Sequence, residues 1–185
     1  MALDPRELRN CLGRFATGVT VVTCHGREAT AHGMTVNAFT SVSLDPPLVL
    51  VSIDRRTKGS ELLDEAPFTV NVLHEGQRDV ALHFAGRPQV NLELAWEEGK
   101  LAPRLVGCLA YIECEPWAAY DGGDHVLFLG RVHSFGFGET APLVFFTGRF
   151  HALGDAYDLP WLESLDCPTA GWLGQLPADA RRGGD

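Results

Sequence analysis

Residues 32–53, from His32 to Ile53, read HGMTVNAFTSVSLDPPLVLVSI. Thr35, Asn37, Thr40, Ser41 and Ser43 are short, uncharged side chains that hydrogen-bond, and apolar Met34, Val36 and Phe39 sit between them. This first part reads as a rigid, polar-edged loop, a surface suited to a flat ligand with an apolar ring and polar edge atoms. Asp45-Pro46-Pro47 then has turn chemistry, because a short carboxylate bonds nearby backbone N–H groups and proline fixes φ. Leu48 to Ile53 is apolar except for Ser52, and so short a run predicts a strand buried on both faces.

The flanking sequence repeats this pattern of short strands. Upstream, Asp4 and Pro5 open a helix that continues through Leu8, Cys11, Leu12 and Phe15 and ends by Gly18. Val19-Thr20-Val21-Val22-Thr23 is β-branched throughout and predicts a strand, with a hairpin-like return from Gly26 to Gly33. Downstream, Thr57 caps a short helix through Asp64, Phe68–Leu73 alternates like a strand, and Glu75–Ala85 reads as a helix stopped by Gly86 and Pro88. Three more strands are expected over Gly107–Trp117, His125–Phe135 and Leu143–Phe150. Many short strands with few helices point to a mainly β chain and an antiparallel barrel rather than alternating βαβ units. From Asp155 the periodicity fades. The reading is one domain over residues 1–154 and an irregular arm over 155–185, docked by Trp161 and Trp172.

Composition excludes several functions. A formal charge of −9 gives no basic face for nucleic acid and no attraction to anionic lipid. Five cysteines, with no C-x-x-C pair, argue against a disulfide framework or zinc site and for thiols in a reducing cytoplasm. No leader pattern and no apolar run long enough to span a bilayer is read, so a soluble, cytoplasmic protein is expected.

The chemical motifs are sparse. Gly136–Ala141 mimics the G-x-G-x-x-A dinucleotide fingerprint, but Pro142 and another apolar strand follow where that motif needs a helix. There is no metal-binding H-E-x-x-H and no nucleophile elbow. Asp54-Arg55-Arg56-Thr57-Lys58-Gly59-Ser60 places hydroxyls and a lysine at a helix start, which suits an anion as well as it suits a solvated loop with ordinary caps. Arg87 offers a second cation. Gly122-Gly123-Asp124-His125 puts a histidine at a strand mouth, and Gly148-Arg149-Phe150-His151 ends the last strand with a cation and a ring. Arg131 or Arg149 would suit a 2′-phosphate, and each also suits a solvated strand.

Read in order, Gly13–Thr23, His32–Ile53, Asn71–Leu73, His83–Gly86, Gly123–Gly130 and Pro142–His151 resemble the short-chain flavin reductases that serve two-component flavin monooxygenases. The resemblance runs from about Arg9 to Leu153. It implies a split β-barrel with Greek-key topology, an FMN-binding split barrel built as a homodimer. It implies that Thr35, Val36, Asn37 and Ala38 line the flavin ring and that Ser52, Ile53 and Asp54 continue the wall. Thr57, Lys58 and Ser60 would hold the flavin phosphate, with Phe84, Ala85 and Arg87 nearby, and His125 and Phe150 would meet the nicotinamide. Phe150 stands where many relatives carry tyrosine. The implied activity is hydride transfer from NADH or NADPH to FMN or FAD, for use by a separate flavin-dependent monooxygenase. It needs no catalytic acid–base residue and no metal. A tightly bound flavoprotein oxidase and a non-catalytic flavin-binding module are the alternatives on the same fold.

Overall fold

A computed structural model describes residues 3–26, 28 and 30–155. The expected arm from Asp155, with Trp161 and Trp172, lies outside the described residues except for Asp155 itself. Among the described residues the strands are β1 (Thr17–Gly18), β2 (Thr20–His25), β3 (Ala31–Val36), β4 (Phe39–Leu44), β5 (Pro47–Asp54), β6 (Phe68–Val72), β7 (Trp96–Glu98), β8 (Pro103–Leu105), β9 (Ala110–Gly122), β10 (His125–Phe137), β11 (Val144–Phe146) and β12 (Arg149–His151). The helices are α1 (Pro5–Leu12), α2 (Lys58–Leu62) and α3 (Arg78–Phe84). All strand pairs are antiparallel.

One sheet dominates, in the order β3-β2-β6-β9-β10-β5-β4. Its two edge strands, β3 and β4, are consecutive in sequence and joined only by Asn37 and Ala38. Three Cα steps reach at most about 11 Å. Six strand spacings in a flat sheet would separate the edges by about 29 Å. The sheet must therefore curl until its edges meet, and the Ser52 N–H, donating to the Ala38 carbonyl at 3.0 Å, continues the β4–β5 ladder into the connecting corner. This is the mainly β, split-barrel architecture the sequence led us to expect.

The curl gives the sheet an inside and an outside. Val22, Met34, Val36, Val49, Val51, Ile53, Phe68, Val70 and Phe128 fill the inside. Outside, Val19, Val21, Leu73, Ala81, Leu105 and Leu143 form a second cluster where α3, β8 and the small sheet β1-β11-β12 cover the barrel. β2 is buried on both faces because it belongs to both clusters. Asn71 and Thr23, beneath β8, are bonded, whereas Glu113 Oε1 is buried without a partner among the described residues. Asn71 donates to the Val21 carbonyl at 2.9 Å and accepts from the Leu105 N–H at 2.9 Å. Thr23 donates to the Pro103 carbonyl at 2.5 Å.

Four expectations need correction. The polar "loop" of His32–Ser43 is two edge strands, β3 and β4, because its short side chains alternate with Met34, Val36 and Phe39 that turn inward. β5 is a strand as expected, but Leu50, Ser52 and Asp54 on its outer face are only half-buried. The last strand is a hairpin, β11 and β12, since Thr147 and Gly148 both take positive φ and reverse the chain. Helix α1 stops at Leu12, where Gly13 caps it, and Leu12 and Phe15 stay exposed.

Gly130 shows how tightly the inside is packed. A Cβ built there would lie 2.5 Å from the Phe68 ring and 2.6 Å from the Cys114 Cβ. Overpacking of this kind costs about 2 kcal/mol, so Gly130→Ala should lower the urea midpoint with an unchanged slope. An unaltered midpoint would show that the barrel interior yields at this point.

Candidate active site

The predicted residues gather on two neighbouring parts of the curled sheet. The first is β3, which has a helix against each face. On the inner side, α2 packs so closely that a Cβ at Gly59 would overlap the Met34 side chain. On the outer side, the Phe84 ring lies 2.7 Å from where a Cβ of Gly33 would be, and the Thr35 hydroxyl donates to the Ala81 carbonyl at 2.7 Å. Glycine at 33 and 59 is thus what lets both helices close on one strand. Thr57, Lys58 and Ser60 come to β3 with α2, and Phe84, Ala85 and Arg87 come with α3.

The second part is the β5–β10 ladder. Ser52 lies opposite Leu127 and Asp54 opposite His125, so these four share the outer face. The bond from the Ser52 N–H to the Ala38 carbonyl, which continues the β4–β5 ladder, joins this part to the Val36–Ala38 corner. His125 sits at the end of β10, its Nδ1 2.7 Å from Asp124 Oδ1. Asn37 and Ala38 are exposed, and their N–H groups have no partner among the described residues. Val36 faces the core, so only its backbone is offered to a ligand. Phe150 is elsewhere in the chain. It packs on the outer cluster with its ring 5.5 Å from that of Phe145, and no contact brings it to His125.

The cations divide into two sets. Arg55 and Arg56 are committed to carboxylates. Arg55 Nη2 donates to Asp121 Oδ1 at 2.7 Å, and Arg56 Nε and Nη2 fork onto Asp54 at 3.0 and 2.6 Å. The Arg56 fork holds the Asp54 carboxyl well below the usual carboxylate range. Lys58 and Arg87 are exposed and have no ion-pair partner among the described residues. The Thr57 hydroxyl is fully engaged, donating to the Asp54 carbonyl at 2.8 Å and accepting from the Ser60 N–H at 3.3 Å. That cap leaves the Lys58 and Gly59 N–H groups without a partner among the described residues. Lys58 and these two N–H groups form a donor set for an anion.

Other chemistries find little support here. Burial pushes the thiols of Cys24 and Cys108 up to about 11 and that of Cys114 to about 12, where a thiolate nucleophile is disfavoured. No group of described residues is arranged to hold a metal ion. No helix opens at Gly136–Ala141. The segment runs from the end of β10 to Pro142, which bridges to His74.

The flavin reductase like domain family matches residues 12–154. The chain belongs to that family. It is 44% identical over 166 residues to an NADH-dependent flavin reductase of Rhodococcus sp., covering 86% of this chain and 93% of the other. It is also 44% identical over 148 residues to the reductase component of 4-hydroxyphenylacetate 3-monooxygenase of Thermus thermophilus, covering 78% and 94%. Among solved structures, the flavin reductase PheA2 in its native state superposes with a TM-score of 0.79 at 40% identity, covering 83% of this chain and all of that one.

Two contributors to this candidate site escaped the sequence reading. Arg55 and Gly123 each stand in a segment already singled out, yet Arg55 and its partners Asp121 and Gly123 are 66 and 68 residues apart, and nothing local pairs them. His32 has no motif of its own. It lies close enough to Lys58 that burial first, and the lysine charge second, hold its pKa below the ordinary 6.5. Such a histidine stays neutral in the fold. Its contribution to stability is present above the unfolded pKa and is lost as pH falls below it. Lys58→Met should therefore raise the His32 pKa measured by NMR titration, while burial keeps it below 6.5. An unchanged titration would separate His32 from Lys58.

Proposed function

We propose that the protein is an NADH:flavin oxidoreductase that supplies reduced flavin to a separate monooxygenase. The carrying observation is the meeting of the free Lys58 donor set and the open Asn37–Ala38 corner on the same curled sheet as the His125 hairpin. The relatives named as an NADH-dependent flavin reductase and as a monooxygenase reductase component support the same reading.

The donor set fits a flavin nucleotide. Lys58, the N–H groups beside it and, from the α3 side, Arg87 suit its phosphate. Ser60 and the engaged Thr57 shape that corner, and Phe84 and Ala85 wall its other side. The N–H groups of Asn37 and Ala38 suit the polar edge of the ring, with Thr35 and Val36 leading into them, Ser52 and Asp54 continuing the wall, and Ile53, whose side chain is buried in the interior, offering only its backbone. Because α3 holds its hydroxyl, Thr35 acts by fixing the strand. His125 faces the nicotinamide. Phe150 lies outside that contact in the single chain, so its role depends on a second copy. Val42, Leu44, Trp117 and Tyr120 are exposed on β4 and β9, apolar surface that a second copy would cover in a homodimer. The four described cysteines are unpaired thiols, which suits the cytoplasm.

Hydride transfer from nicotinamide C4 to flavin N5 is chemistry of the two nucleotides, and the protein supplies binding and orientation. Bringing two rings together in a near-attack arrangement is itself a large catalytic term. Donors aimed at the ring edge stabilise charge that grows there as hydride arrives. No side-chain acid or base is needed. The assignment is tested by steady-state NADH oxidation. Turnover should require added FMN or FAD, and His125→Ala should raise the KM for NADH about tenfold, a loss of about 1.4 kcal/mol of binding, with a smaller change in kcat. Oxidation no faster than in a protein-free mixture would overturn it.

A further inference from the structure

We propose that Arg55 is a positioning residue that holds the nicotinamide hairpin in register with the rest of the site, an inference that rests on the functional reading above. The β5–β10 ladder ends at the Asp54–His125 pair. Beyond it the two chains would be free to diverge, β5 toward α2 and β10 back through the Gly122–Asp124 turn. Three bonds at Arg55 prevent this, one from its main chain, which any residue would keep, and two from its side chain. Its N–H donates to the Asp124 carbonyl at 3.1 Å, its Nε to the Gly123 carbonyl at 2.8 Å, and its Nη2 to Asp121 Oδ1 at 2.7 Å. Asp121 Oδ1 also accepts from the Gly123 N–H at 2.8 Å, so the same carboxylate closes the turn on itself.

The side chain at this position has to be a guanidinium. Nε and Nη2 leave one rigid plane toward two different acceptors, a carbonyl and a carboxylate, and a lysine ammonium cannot hold both in that geometry. Gly123 takes a φ of +78°, a conformation that costs other residues, and its carbonyl is thereby presented to Arg55. The effect reaches the proposed nicotinamide contact through one further bond, in which Asp124 Oδ1 accepts from His125 Nδ1. Loosening the turn releases Asp124, and with it the orientation of the imidazole.

The other half of the site does not depend on Arg55 in the same way. The loop leading to α2 has its own closure, with the Arg56 N–H on Asp54 Oδ1 at 2.9 Å and the Thr57 N–H on the Asp54 carbonyl at 3.1 Å. Asp121 is largely exposed and Arg55 partly so, and an exposed pair adds little to global stability. The arrangement therefore predicts a selective defect in nicotinamide binding rather than a general loss of fold.

The test uses the full chain. Arg55→Ala should raise the KM for NADH about tenfold. The flavin Kd, measured by fluorescence quenching without NADH, and the thermal midpoint should stay close to wild type. Arg55→Lys should recover only part of the NADH affinity. Asp121→Asn should cost less in the Arg55→Ala background than alone, as expected for residues acting on one turn. An unchanged KM in Arg55→Ala beside a raised KM in His125→Ala would overturn the role of Arg55 and leave the functional reading standing. Equal loss of flavin and NADH affinity would show a general structural part instead. An unchanged KM in both variants would remove the nicotinamide assignment itself, and this proposal with it.

Discussion

The structure depends on the shortness of one connection. β3 and β4 occupy opposite edges of a seven-stranded sheet, and only Asn37 and Ala38 join them. A link of that length forbids a flat sheet. It produces the curl, the enclosed apolar interior and the outward corner where two N–H groups remain open. It also brings β5 beside the corner through the Ser52–Ala38 bond, so that the wall and the corner form one surface. The same stretch that looks like a binding loop makes the two edge strands and the exposed corner between them.

A second theme is the sorting of charge in an acidic protein. A net charge of −9 repels nucleotide phosphates at long range, so local donors must hold them. Two of the arginines next to the site are spent on structure, Arg56 closing its own turn on Asp54 and Arg55 gripping the hairpin. Lys58 is left free beside unpartnered N–H groups, and it sits over a strand flanked by two helices. The paired arginines give shape, and the lysine, without an ion-pair partner among the described residues, is the proposed source of affinity.

Much of this was legible in the sequence because it is local. Val19–Thr23, Leu48–Ile53 and Phe68–Leu73 announce their strands through β-branched and alternating residues, and the antiparallel, mainly β class follows from them. Family resemblance supplied the candidate site residues, and the fold gathers most of them around β3 and β5, on those strands, on the corner after β3 and on or beside α2 and α3. What sequence could not show is non-local. The alternation of Met34, Val36 and Phe39 is a strand signal, but it is masked by so many turn-forming hydroxyls that β3 and β4 read as loop. Thr147-Gly148 splits what looks like one apolar strand, because a positive φ at threonine has no clear sequence mark. The Arg55–Asp121 contact spans 66 residues and depends on the register of β9, β10 and β5 together.

The central claim is that this surface brings nicotinamide and flavin together so that hydride moves directly between them. Anaerobic stopped-flow reduction of FMN or FAD by NADH, with and without deuterium at the transferred position, tests it most directly. The account predicts rapid loss of the oxidised flavin absorbance that depends on the protein and is slowed by a primary isotope effect. Flavin that stays oxidised, or that is reduced no faster than without the protein, would contradict it.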